Sequence, residues 1–358
     1  MIKGRGQVCV EYRDKKDEKG VRMWKLAIDL GSAMTKIYRA DTSSGIVLAE
    51  PSCVAVAGAE QEVKAIGKEA KNLIGKTAEF TSIIYPVYEG EIVDMKLAAA
   101  MLKEFFARIG VKHAALRRAQ ILLGVPCGAS ARLLGDYAAL AEECGLKKVY
   151  FVEQPYLAAV GAGAVLSDSD PVFSIDIGGG VTNVAVVSAD GIIAGISMNI
   201  GGNNMDANIM QKVAKVNGLR IGALTAERIK NEIGSLSPNA RGSIVAEGSS
   251  VESLRPASAS VQAADLCECI RVYIDKVIEY AGAVLRKLPA EVAATVNRNG
   301  VFLSGGVMKI PHLPQYIGAK LEMRQHVCEE PQFATVLGGG GVIRDKDLLT
   351  RFSKELDG

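Results

Sequence analysis

Alternating apolar and polar positions predict two similar β-hairpins far apart in the chain. Each begins with an apolar strand, turns at glycine or small residues, and resumes as a second apolar strand. An aspartate closes the first strand in both copies, at Asp29 and Asp176. The strand, turn and strand segments are 26–30, 31–32 and 36–38 in the first copy, and 172–176, 178–180 and 184–187 in the second.

Helical and strand patterns alternate between and after the hairpins. Ser130 is a good N-cap for one of the helices, because its hydroxyl can accept a bond from a free amide of the first turn. The pattern is that of an α/β protein. Predicted helices cover 97–109, 133–144, 205–216, 225–233 and about 261–288, and predicted strands cover 121–125 and 301–303.

The segment 235–260 is rich in Ser and contains Pro238 and Pro256. Two interpretations are open, a loose linker or a small added subdomain of short strands, and we favour the subdomain. The whole chain of 358 residues suits two domains of ordinary size.

Composition excludes several classes of protein. Hydrophobic residues make up 49%, charged residues 23%, and the formal net charge is +2, so no nucleic-acid partner is expected. The seven cysteines are scattered and form neither a disulfide framework nor a zinc motif, which fits a reducing cytosol. No apolar run approaches the roughly 20 residues of a spanning helix, and the N-terminus does not resemble a signal peptide.

The hairpin turns carry the candidate chemistry. A turn of glycine or small residues can direct successive backbone N–H groups at an anion, and an aspartate at its start can hold a hydrated Mg²⁺. One such turn is most often only a turn. Two copies, at Asp29-Leu30-Gly31 and Asp176-Ile177-Gly178, favour a clamp in which two lobes hold one polyphosphate from opposite sides.

The chain resembles the MreB family of bacterial actin-type ATPases, within the superfamily of actin, sugar kinases and heat-shock chaperones. The paired turns look like that superfamily's two phosphate loops, and similarity to MreB extends from about residue 25 to 345. The matching stretches are 45–52, 65–70, 124–126, 158–163, 200–202, 225–234 and 302–306.

The resemblance implies a two-lobed actin-like fold built from duplicated ribonuclease-H-like domains. A C-terminal tail would cover 346–358. The mixed charges of residues 1–22, which lack a helical apolar stripe, predict a disordered extension over 1–23. The first lobe would cover 24–155 with a small inserted subdomain at about 45–95. The second would cover 156–345 with its own insertion at about 235–260.

The resemblance also implies an ATP and Mg²⁺ site. Asp29 and Asp176 would hold the metal through water, and Gln154 would place the attacking water. The predicted phosphate-binding residues are Gly31, Ser32, Ala33, Thr35, Gly178, Gly179, Gly180 and Thr182. The predicted nucleoside-binding residues are Gly201, Gly202, Glu227, Lys230, Gly305, Gly306, Val307 and Met308.

Four positions depart from the MreB pattern. Gln154 replaces the second glutamate of a pair, and Val181 replaces a threonine; actin has the same Gln and Val and still hydrolyses ATP. A glutamine can orient a water without acting as a base, so we expect slow, polymerisation-linked ATP hydrolysis. Met34 and Val307 replace an Asn and a Gly, which alters the first phosphate loop and narrows the nucleoside pocket.

By resemblance, the protein polymerises with itself into cytoplasmic filaments that control cell shape by organising cell-wall synthesis. Membrane proteins of wall elongation and the inner face of the membrane are further candidate partners. In the loop 111–118, which corresponds to a membrane contact of MreB, Leu116 is the one strong apolar anchor. Two alternatives stay open: a nucleotide-bound scaffold or adaptor without hydrolysis, and a small-molecule kinase, although Gln154 argues against a kinase.

Overall fold

The computed structural model describes residues 23–76, 81–166 and 170–353. The first half of the chain forms one large sheet with helices around it. Its elements are β1 (Lys25–Leu30), β2 (Met34–Arg39), β3 (Gly45–Pro51), β4 (Val54–Ala57), β5 (Glu62–Ile66), α1 (Lys68–Asn72), β6 (Thr81–Ile84), β7 (Val87–Tyr88), β8 (Glu91–Ile92), α2 (Met95–Arg108), α3 (His113–Leu116), β9 (Gln120–Val125), α4 (Ala131–Glu143), β10 (Lys148–Glu153) and α5 (Gln154–Gly161).

The second half repeats this plan and ends in two helices. Short 3₁₀ turns cover Gly306–Lys309 and Pro331–Phe333. Its other elements are β11 (Val172–Ile177), β12 (Thr182–Ser188), β13 (Gly191–Met198), α6 (Gly202–Asn217), β14 (Leu219–Arg220), α7 (Ala223–Ile233), β15 (Ser243–Ser250), β16 (Pro256–Gln262), α8 (Ala263–Leu285), α9 (Ala290–Asn299), β17 (Val301–Ser304), α10 (Leu313–Leu321), β18 (Gln325–Val327), α11 (Ala334–Arg344) and α12 (Lys346–Phe352).

The two large sheets have the same topology. Their strand orders are β10-β9-β1-β2-β3 and β13-β12-β11-β17-β18. In each sheet the three strands that come first in the chain, β1–β3 or β11–β13, pair antiparallel with one another. The two later strands run parallel to the first of them. Both predicted hairpins, β1–β2 and β11–β12, are confirmed, and the repeat extends over five strands in each lobe.

Each lobe has its own hydrophobic core. Helices α2 and α4 cover one face of the first sheet through residues such as Phe105 and Tyr137. Helices α6 and α8 do the same for the second sheet through residues such as Met205 and Ile270. Ser130 caps α4 as predicted, accepting a bond from the amide of Leu133 at 3.2 Å.

Two small sheets are added to the lobes. In the first lobe β4, β5 and β6 form one of them, whereas β3, which lies in the predicted insertion, is the edge strand of the large sheet. In the second lobe β14, β15 and β16 form the other. The segment 235–260 therefore contains β15 and most of β16 rather than a loose linker.

Helices α5 and α11 cross between the lobes with almost no side chain between them. A Cβ atom added to Gly338 would lie 1.8 Å from the carbonyl oxygen of Leu157, and one added to Gly161 would lie 1.8 Å from that of Ala334. Helix α11 also contacts β1, β2 and β9, so the chain returns to the first sheet after the second is complete. The two helix backbones therefore lie in direct contact at this crossing.

Some predicted bounds were wrong. The helix expected over about 261–288 is α8, which starts at Ala263, because Val261 pairs with Ile244 in the β15–β16 ladder. The predicted second lobe of 156–345 includes α11, but α11 lies on the first sheet. Residues 346–352 of the predicted tail form α12, whose Leu349 is buried. The predicted disorder of 1–22 and the end of the tail, 354–358, lie outside the described residues.

Candidate functional site

A cleft of ≈ 470 Å³ lies between the two large sheets, where the turns of the two hairpins meet. Its walls come from both lobes, so its shape depends on how the lobes sit against one another. The predicted residues that line it are Asp29, Gly31, Ser32, Ala33, Gln154, Asp176, Gly178, Gly179, Gly180, Gly202, Glu227, Lys230, Gly305, Gly306 and Val307.

Both turns have the same backbone closure. The amide of Gly31 donates to the carbonyl of Met34 at 3.2 Å, and the amide of Gly178 donates to that of Val181 at 2.9 Å. A Cβ at either glycine would crowd the same carbonyl oxygen, at 2.8 Å for Gly31 and 3.0 Å for Gly178. The first glycine of each turn is therefore required by the closure itself.

The two turns touch across the cleft. A Cβ on Gly180 would lie 2.8 Å from the hydroxyl oxygen of Ser32, and a Cβ on Gly179 would lie 2.5 Å from the Cβ of Ala33. Because the residues on both sides are small, the backbones of the two turns can approach each other closely. Such an arrangement of turn amides around a narrow gap suits an anion that both lobes contact.

Asp29 stands at the end of β1 and is mostly buried. Its Oδ2 accepts a 2.7 Å bond from the ammonium group of Lys36, which is its direct partner in the β1–β2 register. The second hairpin has the same pairing, with Asn183 opposite Asp176. The two hairpins therefore place one cationic and one neutral side chain beside equivalent aspartates.

Asp176 is buried at the end of β11. Burial, and next the nearby carboxylate of Asp29, raise the pKa of Asp176 to about 6. The hydroxyl of Ser304 donates to its Oδ1 at 3.1 Å, and that of Thr335 donates to its Oδ2 at 3.4 Å. A carboxyl group whose ionisation is opposed by burial and by a second carboxylate in the same cleft is one that a bound cation would help to ionise.

Gln154 is the first residue of α5 and is 8% exposed. Its Nε2 lies 3.4 Å from Asp29 Oδ1, and its Oε1 accepts a 3.1 Å bond from Asn183 Nδ2. The preceding residue, Glu153, accepts a 2.6 Å bond from the amide of Gly128. Gln154 therefore faces the cleft between the two lobes. Glu153 instead accepts a hydrogen bond from the loop that contains Gly128.

The predicted nucleoside residues form ion pairs with other side chains. The ammonium group of Lys230 is 2.8 Å from Asp206 Oδ2 and also donates to the carbonyl of Gly202 at 3.1 Å. The second oxygen of Asp206, Oδ1, is buried without a hydrogen-bond partner among the described groups. Glu227 bonds at 2.6 Å to Lys71 of α1, which belongs to the other lobe.

Four predicted residues lie behind the cleft wall. The hydroxyl of Thr35 is 2.8 Å from that of Ser52, and the hydroxyl of Thr182 donates to the carbonyl of Ile200 at 2.6 Å. Met308 is buried in the second core. Gly201 is needed for a close approach, since its Cβ would lie 2.5 Å from the carbonyl oxygen of Gly179. Direct nucleotide contact by these residues stays a prediction, and their observed contacts shape the wall.

Several residues that line the cleft were not predicted from the sequence. Lys36 and Asn183 could have been found, because each lies opposite an aspartate in the predicted hairpins. No pattern in the sequence pointed to the others. They include Gly90, Asn203, Asp206, Asn231, Lys309, Gln332 and Thr335.

A metal ion at this site would need water and substrate phosphates as ligands in addition to protein side chains. Among residues 23–76, 81–166 and 170–353, no three His, Cys, Asp or Glu side chains form a cluster able to hold a metal ion. Two carboxylates facing a phosphate-sized gap fit Mg²⁺, which usually keeps several waters and binds through one or two carboxylates and substrate phosphates.

The predicted membrane anchor is absent from the surface. Leu116 of α3 is buried in the first core rather than exposed. Its neighbours Arg117 and Arg118 are exposed. No helix in the described part of the chain is long and apolar enough to cross a membrane.

Comparison with known proteins assigns the family. A model of the MreB/Mbl protein family matches residues 23–351. Cell shape-determining protein MreB of Escherichia coli (strain K12) is 32% identical over 334 residues, covering 90% of this chain and 94% of the relative. Cell shape-determining protein Mbl of Bacillus subtilis (strain 168) is 31% identical over 327 residues, covering 91% and 97%.

Solved structures agree with the fold. MreB 5 of Spiroplasma citri bound to AMPPNP superposes with a TM-score of 0.84 at 27% identity, covering 91% of this chain and 96% of that one. A MamK double helical filament gives a TM-score of 0.73 at 18% identity, covering 90% and 99%, and supports the actin-like fold alone. The duplicated sheets, the paired turns and the extent of these matches agree, and the chain belongs to the MreB/Mbl family of actin-like, cell shape-determining proteins.

Proposed function

We propose that this protein binds Mg-ATP in the cleft between its lobes, polymerises into filaments and hydrolyses ATP slowly as it does so. The observation that carries the proposal is the meeting of the two hairpin turns, with Asp29 and Asp176 beside them and Gln154 between the lobes. The relatives support nucleotide binding: MreB5 of Spiroplasma citri has been solved with AMPPNP and with ADP.

The proposed roles follow from the chemistry of the groups present. The turn amides would bind the phosphates, and Asp29 and Asp176 would hold hydrated Mg²⁺. The metal, when bound, would neutralise charge on the phosphates. Lys36 adds a positive charge beside Asp29, and Gln154 would orient the attacking water through its amide, since phosphoryl transfer depends largely on positioning and electrostatics.

The nucleoside would occupy the part of the cleft near Gly202, Glu227 and Lys230. Glycine there allows backbone to approach the ligand closely. Asp206 Oδ1 is a buried acceptor that lacks a partner among the described groups, and a ligand hydroxyl or amino group would satisfy it. For Glu227 to contact the ligand, its bond to Lys71 would have to be shared or exchanged.

Phosphate release from the purified protein tests the proposal. We expect release with Mg-ATP to rise steeply above a critical protein concentration and to vanish in Asp176→Ala. Binding of a fluorescent ATP analogue, measured in parallel, separates loss of binding from loss of hydrolysis. Wild-type protein that does not bind ATP would contradict the proposal.

A scaffold without hydrolysis is the second candidate, favoured by Gln154, which cannot act as a carboxylate base. It predicts bound ATP that stays intact for hours in assembled protein. If the wild-type protein releases phosphate faster than Gln154→Ala does, the scaffold without hydrolysis is excluded.

In the cell, we propose that the filaments lie in the cytoplasm and control shape by organising cell-wall synthesis, as the relatives' names suggest. Wall-elongation membrane proteins are the proposed partners. Contact with the membrane would rely on exposed basic residues such as Arg117 and Arg118, each worth about 1 kcal/mol near an anionic surface. Sedimentation with anionic and neutral vesicles tests that contact.

A further inference from the structure

Asn183 is a buried side chain at the cleft that the roles above do not use. It lies on β12, is 2% exposed, and makes two hydrogen bonds. Its Oδ1 accepts from the backbone amide of Cys127 at 3.0 Å, and its Nδ2 donates to Gln154 Oε1 at 3.1 Å. It therefore joins the loop after β9 in the first lobe to the candidate water-placing residue.

The bond to Cys127 fixes which way the Asn183 amide is turned. A backbone N–H can only donate, so the atom that faces Cys127 must be the oxygen of the asparagine. Its nitrogen then faces Gln154, and because that nitrogen can only donate, the facing atom of Gln154 must be its oxygen. The orientation of both amides follows from one backbone donor.

The same logic sets the outer end of Gln154. Its Nε2 faces Asp29 Oδ1 at 3.4 Å, which suits a donor beside a carboxylate. A glutamine turned the other way would place its oxygen against the Asp29 carboxylate and its nitrogen against the nitrogen of Asn183. Both ends therefore oppose the flipped orientation, and one lone pair of Oε1 and one hydrogen of Nε2 remain for a water.

We propose that Asn183 is a positioning residue that holds the Gln154 amide in the orientation needed to place the attacking water. This inference rests on the proposed ATPase function and names a residue through which that function would act. A water misplaced by an ångström costs on the order of 100-fold in rate, so fixing this amide would matter more than the energy of one hydrogen bond.

A double-mutant cycle of Asn183→Asp and Gln154→Ala tests the proposal. The aspartate has nearly the same shape and still accepts from Cys127, but it cannot donate to Gln154 when ionised. Phosphate release is measured at saturating Mg-ATP, so that weaker binding does not enter the rate. Asn208→Asp, the same change at a residue of α6 that bonds the carbonyl of Cys269, controls for effects on folding.

We expect Asn183→Asp to slow phosphate release on the order of 100-fold in the wild-type background. In the Gln154→Ala background it should have no further effect, because the residue it positions is gone. The proposal would be overturned if Asn183→Asp released phosphate at the wild-type rate. It would also be overturned if the substitution slowed release equally in both backgrounds. Asn183→Ala, which is uncharged, gives the same comparison if the aspartate impairs folding.

A second readout does not depend on turnover. With ¹⁵N-glutamine labelling, the side-chain amide signal of Gln154 is assigned by its loss in Gln154→Glu. We expect this signal to shift and its hydrogens to exchange faster in Asn183→Asp, and an unchanged signal would contradict the contact. A wild-type protein that releases no phosphate would overturn the ATPase proposal and the positioning role together, whereas normal release with an insensitive variant overturns only the role of Asn183.

Discussion

Lys71 on α1 bonds Glu227 on α7 at 2.6 Å, and this ion pair joins the inserted sheet of the first lobe to a residue of the second lobe that lines the cleft. The side chains are 27% and 36% exposed, so solvent screens the pair. The pair therefore ties the two lobes together beside the cleft, and movement of the lobes apart would break it.

Removal of this pair should speed nucleotide release. We expect Lys71→Met to raise the dissociation rate of a fluorescent ATP analogue roughly twofold to fivefold, because exposed ion pairs contribute about 0.2–1 kcal/mol. Stopped-flow displacement measures the rate. Lys68→Met, an exposed lysine of the same helix, should leave it unchanged, and an equal effect of both variants would refute the role of the pair.

Asp176 should make the nucleotide-free protein less stable as pH rises. Burial raises its pKa from 3.8 to about 6, so the folded protein retains a proton that the unfolded chain releases. That contribution is complete below the unfolded-state pKa and is lost as pH rises through about 6.

The variant Asp176→Asn should therefore exceed the wild type in free energy of unfolding by up to about 3 kcal/mol at pH 8. The difference in free energy of unfolding between variant and wild type should shrink as the pH falls through about 6 toward 3.8. Urea denaturation across this pH range measures the difference, with Asp190→Asn, at an exposed aspartate, as the control. A variant less stable than the wild type at pH 8 would contradict the expectation that the buried, ionised carboxylate of Asp176 destabilises the fold.

The crossing of α5 and α11 should tolerate no side chain at Gly338. A methyl group there meets the backbone of Leu157, so we expect Gly338→Ala to cost about 2 kcal/mol or more. Gly341→Ala, in the same helix but exposed and 3.9 Å from the nearest side chain, should be neutral or stabilise by about 0.5–1 kcal/mol. Chemical denaturation of both variants tests the crossing, and equal stabilities would disprove it.

Sequence alone predicted the parts of the fold whose signals are local. The two hairpins followed from alternation and turn residues, and the cap at Ser130 followed from a hydroxyl before an apolar helix. The predicted start of the helix at Val261 was wrong because a strand leads directly into α8 without a break in the apolar pattern. The return of α11 to the first sheet left no local signal, since its contacts with β1, β2 and β9 join segments more than 200 residues apart.

The same holds for the candidate site: its residues with local sequence signals could be predicted, and those brought together by distant contacts could not. The turns and their aspartates were visible because they occur twice, and Lys36 and Asn183 were implied by hairpin register. The contacts of Asp176 with Ser304 and Thr335 join segments more than 120 residues apart, which no local pattern records. Thr35 and Thr182 were assigned to the nucleotide by resemblance, whereas their hydroxyls bond the protein itself.

The most direct test of nucleotide-driven assembly is negative-stain electron microscopy of the purified protein with Mg-ATP, with Mg-ADP and without nucleotide, over a series of concentrations. We predict filaments that require nucleotide and appear above a threshold concentration. Monomers that persist at every concentration, in samples shown to have bound ATP, would contradict the account.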